Sequence, residues 1–285
     1  MKAFVSNEYS KLESVLLCRP DHFELQPINE IASEFIRRGE LPDPERVQRE
    51  HRDFAAAIEG AGVEVVWVEP RPNLPYQVFT RDIGVVTREG PLLGRFFRTV
   101  RHGEEEEATR VLESYGPIWR ALDKEEGVAF EGGDFMYLDE KTVALGIGAR
   151  TTRAGADRVQ ATMAEIGVEV IPVVFDEQYL HIDMIFNVVS DRVAVVCLEA
   201  LPDEFVRLVR NRGFELIEEP PEGVFSLNCN LLALDEGRVL STTSNKSVNS
   251  RLRALGIEVV EVDLRDLLKG GGGPHCMSFP IRREG

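Results

Sequence analysis

Residues 131–148 read EGGDFMYLDEKTVALGIG, and this stretch decides the fold. Two apolar runs flank the polar pair Glu140-Lys141, the pattern of a strand, a two-residue turn and a second strand. TRAGADRVQATMAEIG (152–167) follows with apolar residues at helical spacing. VEVIPVVF (168–175) is then a short run rich in β-branched residues, read as a strand. The unit is strand, strand, helix, strand.

The unit recurs on both sides. Downstream, HIDMIFNVVSDRVAVVCLEAL (181–201) reads as a hairpin. PDEFVRLVRNRG (202–213) reads as a helix with a capping residue at its start and Gly213 at its end. FELIEEP (214–220) closes the unit. NCNLLALDEGRVLST (228–242), KSVNSRLRALG (246–256) and IEVVEVDL (257–264) repeat it. Upstream, FTRDIGVVTREGPLLGRF (79–96) and EEEEATRVLESYG (104–116) fit the template with a weaker closing strand. The first unit is looser: KLESVLLCRP (11–20), the helix PERVQREHRDFAAAIEGAG (44–62) and VEVVWVEP (63–70). Its missing hairpin mate is HCMSFPI (275–281), at the other end of the chain. Pairing the two would close a ring and leave no free edge there.

A polar residue opens the first strand of each hairpin: Asp82, Asp134, Asp183 and Asn230, with Cys276 next in phase. The steps are 52, 49, 47 and 46 residues. Residues 1–285 are therefore expected to form one α/β domain, a five-bladed ββαβ propeller with pseudo-fivefold symmetry around a central site. An ordinary open α/β sheet is the competing arrangement. In the ring, the in-phase polar residues converge at one mouth of the axis.

Composition narrows the function. The chain has 285 residues, 33 Lys plus Arg against 49 Asp plus Glu, and a net charge of −16. That field repels phosphate backbones and anionic lipid, so nucleic acid and membrane surfaces are not the expected partners. A small cationic substrate is. No run reaches the ~18 apolar residues of a membrane span, and the N-terminus lacks the apolar stretch of a signal peptide. Four cysteines without CxxC spacing (Cys18, Cys197, Cys229, Cys276) suit reduced thiols and a cytoplasmic location.

Near the expected mouth stand Asp82, Glu131, Asp134, His181, Asp183, Asn230, His275 and Cys276. Taken singly, each has a structural explanation: a turn aspartate, a buried small thiol, a hydrogen-bonded histidine. Their shared phase favours chemistry. A cysteine nucleophile requires a thiolate, and His181 can act as its acid/base partner. Carboxylates around a thiol oppose an oxyanion and raise the thiol pKa, which makes them unsuited to ordinary acyl transfer. They suit a planar guanidinium, whose N–H pairs match carboxylates and whose central carbon is left to the sulfur. The run Gly270–Gly273 before Pro274, His275 and Cys276 is not a P-loop, and suits a loop that brings Cys276 to the site. His181, Asp183 and Cys276 lack the usual zinc spacings, so no metal is expected.

Four motifs carry a family resemblance: FTRD at 79–82, EGGD at 131–134, HID at 181–183 and GGGGPHCMS at 270–278. Together they resemble the guanidino-group-modifying (pentein) superfamily, which includes arginine deiminases, dimethylarginine dimethylaminohydrolases and amidinotransferases. The similarity covers nearly the whole chain, and the family fold is a five-bladed ββαβ propeller. The resemblance implies Cys276 as nucleophile, His181 as general acid/base, and Glu131 as the carboxylate that pairs with the histidine and binds guanidinium. It implies Asp82 and Asp183 as further guanidinium carboxylates, and Arg101 and Arg150 as substrate contacts. Asp134 is read as structural, and His275, beside Cys276 on the expected strand, as pointing to the opposite face. Two features depart from arginine deiminases: glycines replace an arginine shortly before the nucleophile, and there is no room for their helical insertion. The His275-Cys276 pair departs from the Thr-Cys common in the dimethylarginine hydrolases.

The expected activity is hydrolysis at the guanidinium carbon of arginine or a derivative such as methylated arginine. Ammonia or an alkylamine leaves, and a ureido product such as citrulline remains, with no cofactor. An amidinotransferase using the same cysteine-bound intermediate is the alternative among enzymes. A non-catalytic ribosome-associated binding protein of the same fold is the alternative outside them. A homo-oligomer is compatible with the sequence.

Overall fold

In the computed structural model, which describes residues 2–285, five separate three-stranded sheets surround one axis. The competing open sheet is absent: the sheets do not join into one another. The first contains β1 (Leu12–Cys18), which runs on through α1 (Glu30–Arg38) and α2 (Pro44–Gly60) to β2 (Glu64–Val68). The second contains β3 (Gly84–Thr87), β4 (Gly90–Leu93), α3 (Glu104–Leu112) and the two-residue β5 (Arg120–Ala121). The third contains β6 (Phe135–Asp139), β7 (Thr142–Ile147), α4 (Arg153–Glu165) and β8 (Glu169–Val174). The fourth contains β9 (Phe186–Ser190), β10 (Val193–Val196), α5 (Asp203–Asn211) and β11 (Glu215–Glu218). After the short α6 (Pro221–Phe225), the fifth contains β12 (Leu232–Asp235), β13 (Arg238–Thr242), α7 (Lys246–Ala254) and β14 (Glu258–Val262). The last strand, β15 (Phe279–Arg283), pairs antiparallel with β1 and closes the ring as the sequence predicts.

Every blade follows one rule. The middle strand pairs antiparallel with an inner strand and parallel with an outer one. Inner strands β3 and β9 are buried along their whole length, while outer strands β8 and β14 alternate buried and exposed residues. That difference separates a strand covered on both faces from one with a wet face. The helix-to-outer-strand turns are also alike. Gly62, Gly167, Gly213 and Gly256 take φ of 68–84°, and each following N–H reaches back to a helix carbonyl. Only glycine holds this left-handed geometry cheaply, so the four glycines mark the repeat.

Local readings need three corrections. Helix α5 begins after Pro202 and has no side-chain cap; Asp203 and Glu204 in its first turn supply negative charge instead. Helix α1, absent from the sequence reading, is capped by Asn29, whose side chain accepts from Ala32 N–H, and ends at Gly39. The in-phase polar residues do not open strands. Asp82, Asp134 and Asp183 sit in tight helical turns just before them, and Cys276 sits in a turn ahead of β15.

Candidate active site

Those turns place the side chains. In EGGD, the Asp134 N–H bonds the Glu131 carbonyl and closes the turn. A Cβ on Gly133 would lie 2.8 Å from the His181 ring and 2.9 Å from Asp82 Oδ1, so this glycine allows the three segments to meet. Asp134 Oδ1 accepts the Ile182 N–H at 2.9 Å and so fixes the backbone beside His181. The Arg81 N–H bonds the Cys276 carbonyl, and the Thr80 hydroxyl bonds the Met277 carbonyl. These bonds stitch the FTRD turn to the cysteine turn.

The seven site residues expected from sequence are all buried, five of them linked in one row and the other two, Asp183 and Cys276, in contact with each other. His181 Nε2 lies 2.9 Å from Glu131 Oε2, and its Nδ1 lies 3.6 Å from Asp82 Oδ1. Arg150 Nη1 lies 3.5 Å from Glu131 Oε2. Arg101 bonds Asp82 and donates to both oxygens of Glu104, at 3.0 and 2.8 Å. The result is a buried row of alternating charge: Glu104, Arg101, Asp82, His181, Glu131, Arg150. On the other flank, Cys276 Sγ lies 3.3 Å from Asp183 Oδ2 and 3.1 Å from Asn230 Nδ2.

Electrostatics follow from this arrangement. Burial would push the Glu131 carboxyl up, but Arg150 and His181 outweigh it and hold the group well below the ordinary range. Burial would push His181 down, but Asp82, Asp134 and Glu131 raise it to about 9, so its resting form is the imidazolium. Burial and the carboxylates of Asp183 and Asp82 drive the Cys276 thiol well above its usual value. Burial also lifts Asp134 to about 7, against the pull of His181.

Three placements bear on the sequence reading. Arg101 has its donors taken by Glu104, Asp82 and the Phe79 carbonyl, with the Phe96 ring 4.3 Å away. Arg150 keeps a buried Nε without a partner. His275, expected to point away from its neighbour, lies in a turn rather than a strand. Its Nδ1 reaches Asp183 Oδ2 at 2.8 Å, the oxygen that also faces Cys276. Glu104 was missed altogether. Its only signal is the Arg101–Glu104 spacing of three, hidden in a run of four glutamates that otherwise reads as a solvated helix face.

A cavity of about 10 Å³ joins Cys276, Asp82, Arg101 and Arg150 beneath Ile28, Asn29 and Leu180. Asn29 donates to the Gly270 carbonyl at 2.9 Å, and Arg150 donates to the Ile28 carbonyl at 2.6 Å. The segment before α1 therefore roofs the site. Asp82, Glu131 and His181 offer atoms within 4.8 Å of one another, a spacing that could hold a cation. Arg101 and Arg150 lie on the same two carboxylates and oppose a metal ion there, so the donor set fits a metal poorly.

The family model for eukaryotic N,N dimethylarginine dimethylhydrolase matches residues 19–283. The chain belongs to this family, within the pentein superfamily of guanidino-group-modifying enzymes. It is 31% identical to the uncharacterized protein YkgA of Bacillus subtilis (strain 168) over 284 residues, which is 99% of this chain and 96% of that one. It is 27% identical to the arginine deiminase of Listeria welshimeri, over 76% of this chain but only 63% of that enzyme. Among solved structures, the N-terminal domain of ArgZ, an arginine dihydrolase of cyanobacteria, superposes with a TM-score of 0.84. The two are 22% identical over 96% of this chain and 98% of that one. A dimethylarginine dimethylaminohydrolase superposes with a TM-score of 0.77, at 22% identity over 94% and 99% of the two chains. These two structures establish the pentein fold. No helix among the described residues is long and apolar enough to cross a membrane.

Proposed function

We propose that the chain is a cysteine-dependent amidinohydrolase acting on the guanidinium carbon of arginine or an arginine derivative. The supporting observation is a thiol bonded to one carboxylate and an imidazolium held between two others, one of which, Asp82, lines the same small cavity as the thiol. The site residues come from turns of several blades, which supports residues 1–285 working as one catalytic domain.

The guanidinium binds among Asp82, Glu131 and Asp183. In the charged row, Arg101, His181 and Arg150 already balance Glu104, Asp82 and Glu131. Asp183 is the carboxylate beside the sulfur that no arginine pairs with, so the incoming cation answers its charge and lowers the cost of a thiolate. The thiol proton passes to solvent as the cation binds, and the sulfur adds to the guanidinium carbon. His181 gives a proton from Nδ1, its unpartnered nitrogen, to the departing ammonia or alkylamine. The C–N bond breaks and a cationic amidino-thioether remains on Cys276. Water then attacks that carbon. One of its protons goes to His181, and the other passes to solvent as the tetrahedral intermediate collapses, where it balances the ammonia or alkylamine released earlier, which becomes its ammonium form. The C–S bond breaks, and the ureido product and the thiolate are regenerated. Arg150 holds the anionic end of the substrate through its free Nε. The roof over the cavity must move for a substrate of this size to bind.

The test is product analysis with arginine, methylated arginines, agmatine and guanidinoacetate, with and without an added amine. Ureido product supports the hydrolase. Amidino transfer to the amine would make the chain an amidinotransferase, and no turnover of any guanidine would overturn the reading.

A further inference from the structure

Asn230 shares the phase of the site residues, yet the mechanism above gives it no task. The side chain is 1% exposed. Its Oδ1 accepts two backbone N–H groups, from Gly273 at 3.1 Å and from Cys276 at 3.2 Å. Two donors on one atom fix which end of the amide is oxygen. The NH₂ end therefore faces the sulfur, with Nδ2 3.1 Å from Cys276 Sγ. Across the sulfur stands Asp183 Oδ2, at 3.3 Å.

The sulfur thus sits between an acceptor and a donor, which act in opposite directions. Asp183 can accept only from the protonated thiol, and its charge repels a thiolate. The Asn230 N–H does the reverse: it bonds a thiolate more strongly than a thiol. Burial, Asp183 and Asp82 all push against ionisation of Cys276, while the Gly273 N–H favours it. From this geometry we infer that Asn230 is a catalytic residue, whose amide N–H holds the Cys276 sulfur in its anionic form. The inference rests on Cys276 being the nucleophile. Asn230 then acts twice, first on the attacking thiolate and again on the sulfur leaving the amidino adduct. The same side chain clasps the glycine loop through Oδ1, so its position relative to the sulfur is set by two bonds made elsewhere.

Asn230→Asp separates the clasp from the donation. Aspartate keeps an oxygen for the Gly273 and Cys276 N–H groups but replaces the donor with an anionic acceptor. The readout is the rate of Cys276 alkylation by iodoacetamide from pH 5 to 10, followed by intact mass without substrate, with Cys276→Ser as the blank. A charge-assisted hydrogen bond predicts a rate at pH 7 that is roughly ten- to a hundredfold lower, with the pH profile displaced upward. Circular dichroism and the melting temperature report whether the fold survives. If the aspartate variant does not fold, Asn230→Ser decides: its hydroxyl is too short to reach the sulfur, and the same loss is expected. Alkylation at the parent rate and pH profile in a folded variant would overturn the inference. Because the assay uses no guanidine, a chain inactive on every substrate tried would leave this result standing by itself.

Discussion

Cys276 Sγ lies 3.3 Å from Oδ2 of Asp183, a carboxylate that opposes ionisation of the thiol and, in the proposed function, draws the substrate to it. In the resting protein its charge raises the thiol pKa. In the proposed function the same charge anchors a bound guanidinium beside the sulfur. Asp183→Asn should therefore have opposite effects on two assays. Alkylation of Cys276 without substrate should speed up at pH 7, because a charge opposing the thiolate is gone. The kcat/KM for the guanidine should fall by roughly a hundredfold or more, because a buried charge pair to the substrate is lost. Both rates falling together would mean that the variant had only disturbed the loop.

Arg150 is the arginine with donor capacity to spare. Its Nε is buried without a partner, whereas Arg101 spends its guanidinium on Glu104, Asp82 and the Phe79 carbonyl. Arg150→Met should raise KM for arginine by roughly tenfold or more, the cost of an unpaired carboxylate. It should change KM much less for agmatine, which has no carboxylate. Arg150 also holds the Glu131 carboxyl low, so some loss of kcat is expected with both substrates. The selectivity ratio is the diagnostic quantity, and an unchanged ratio would remove Arg150 from the substrate's anionic end.

Much of this arrangement was legible in sequence, because the repeat leaves local marks. Gly62, Gly167, Gly213 and Gly256 close the same turn four times, and the in-phase polar residues recur at nearly constant spacing. What stayed hidden depends on contacts between blades. Glu104 is buried against Arg101, which also holds Asp82; four glutamates in a row give no sign of which one turns inward. Helix α1 has clear signals, a capping Asn29 and a terminal Gly39, but the repeat has no slot for it. His275 was read as pointing away from the site because adjacent strand residues face opposite sides. The strand begins only at Phe279, so that rule did not apply.

The pH dependence of stability follows from His181. Its folded pKa, about 9, lies above the ordinary histidine value of 6.5 despite burial, because Asp82, Asp134 and Glu131 surround it. A raised folded pKa stabilises the protein fully below about 6.5, and that contribution is lost as pH rises through about 9. The melting temperature should fall over this window. His181→Gln cannot titrate, so its alkaline decline should be shallower even if its melting temperature at pH 6 is lower. Parallel curves for the two proteins would assign the decline to other groups.

Chelation supplies a separate check. Asp82, Glu131 and His181 are spaced for a cation, but Arg101 and Arg150 bear on the same carboxylates. Extended dialysis against EDTA should leave kcat and KM unchanged. Loss of activity on chelation, restored by a divalent ion, would show that a metal occupies this cluster after all.

In the proposed mechanism His181 Nδ1 serves both half-reactions, so His181→Ala should do more than slow turnover. Its loss impairs protonation of the leaving nitrogen and activation of water. A substrate whose leaving group departs without protonation bypasses the first need but not the second. With such a substrate the sulfur should still add and the leaving group should still go. The amidino-thioether on Cys276 should then accumulate, visible in intact mass as an added amidino group. Glu131→Gln is the control. Glu131 contacts His181 at 2.9 Å and is placed to bind the guanidinium, so its neutralisation should reduce formation of the adduct itself. His275 is a poor substitute base, since its Nδ1 is engaged by Asp183 at 2.8 Å and its Nε2 faces Glu8 at 3.9 Å. Parent-rate turnover by His181→Ala with no trapped adduct would nevertheless make His275 the next residue to replace, and would remove His181 from both steps.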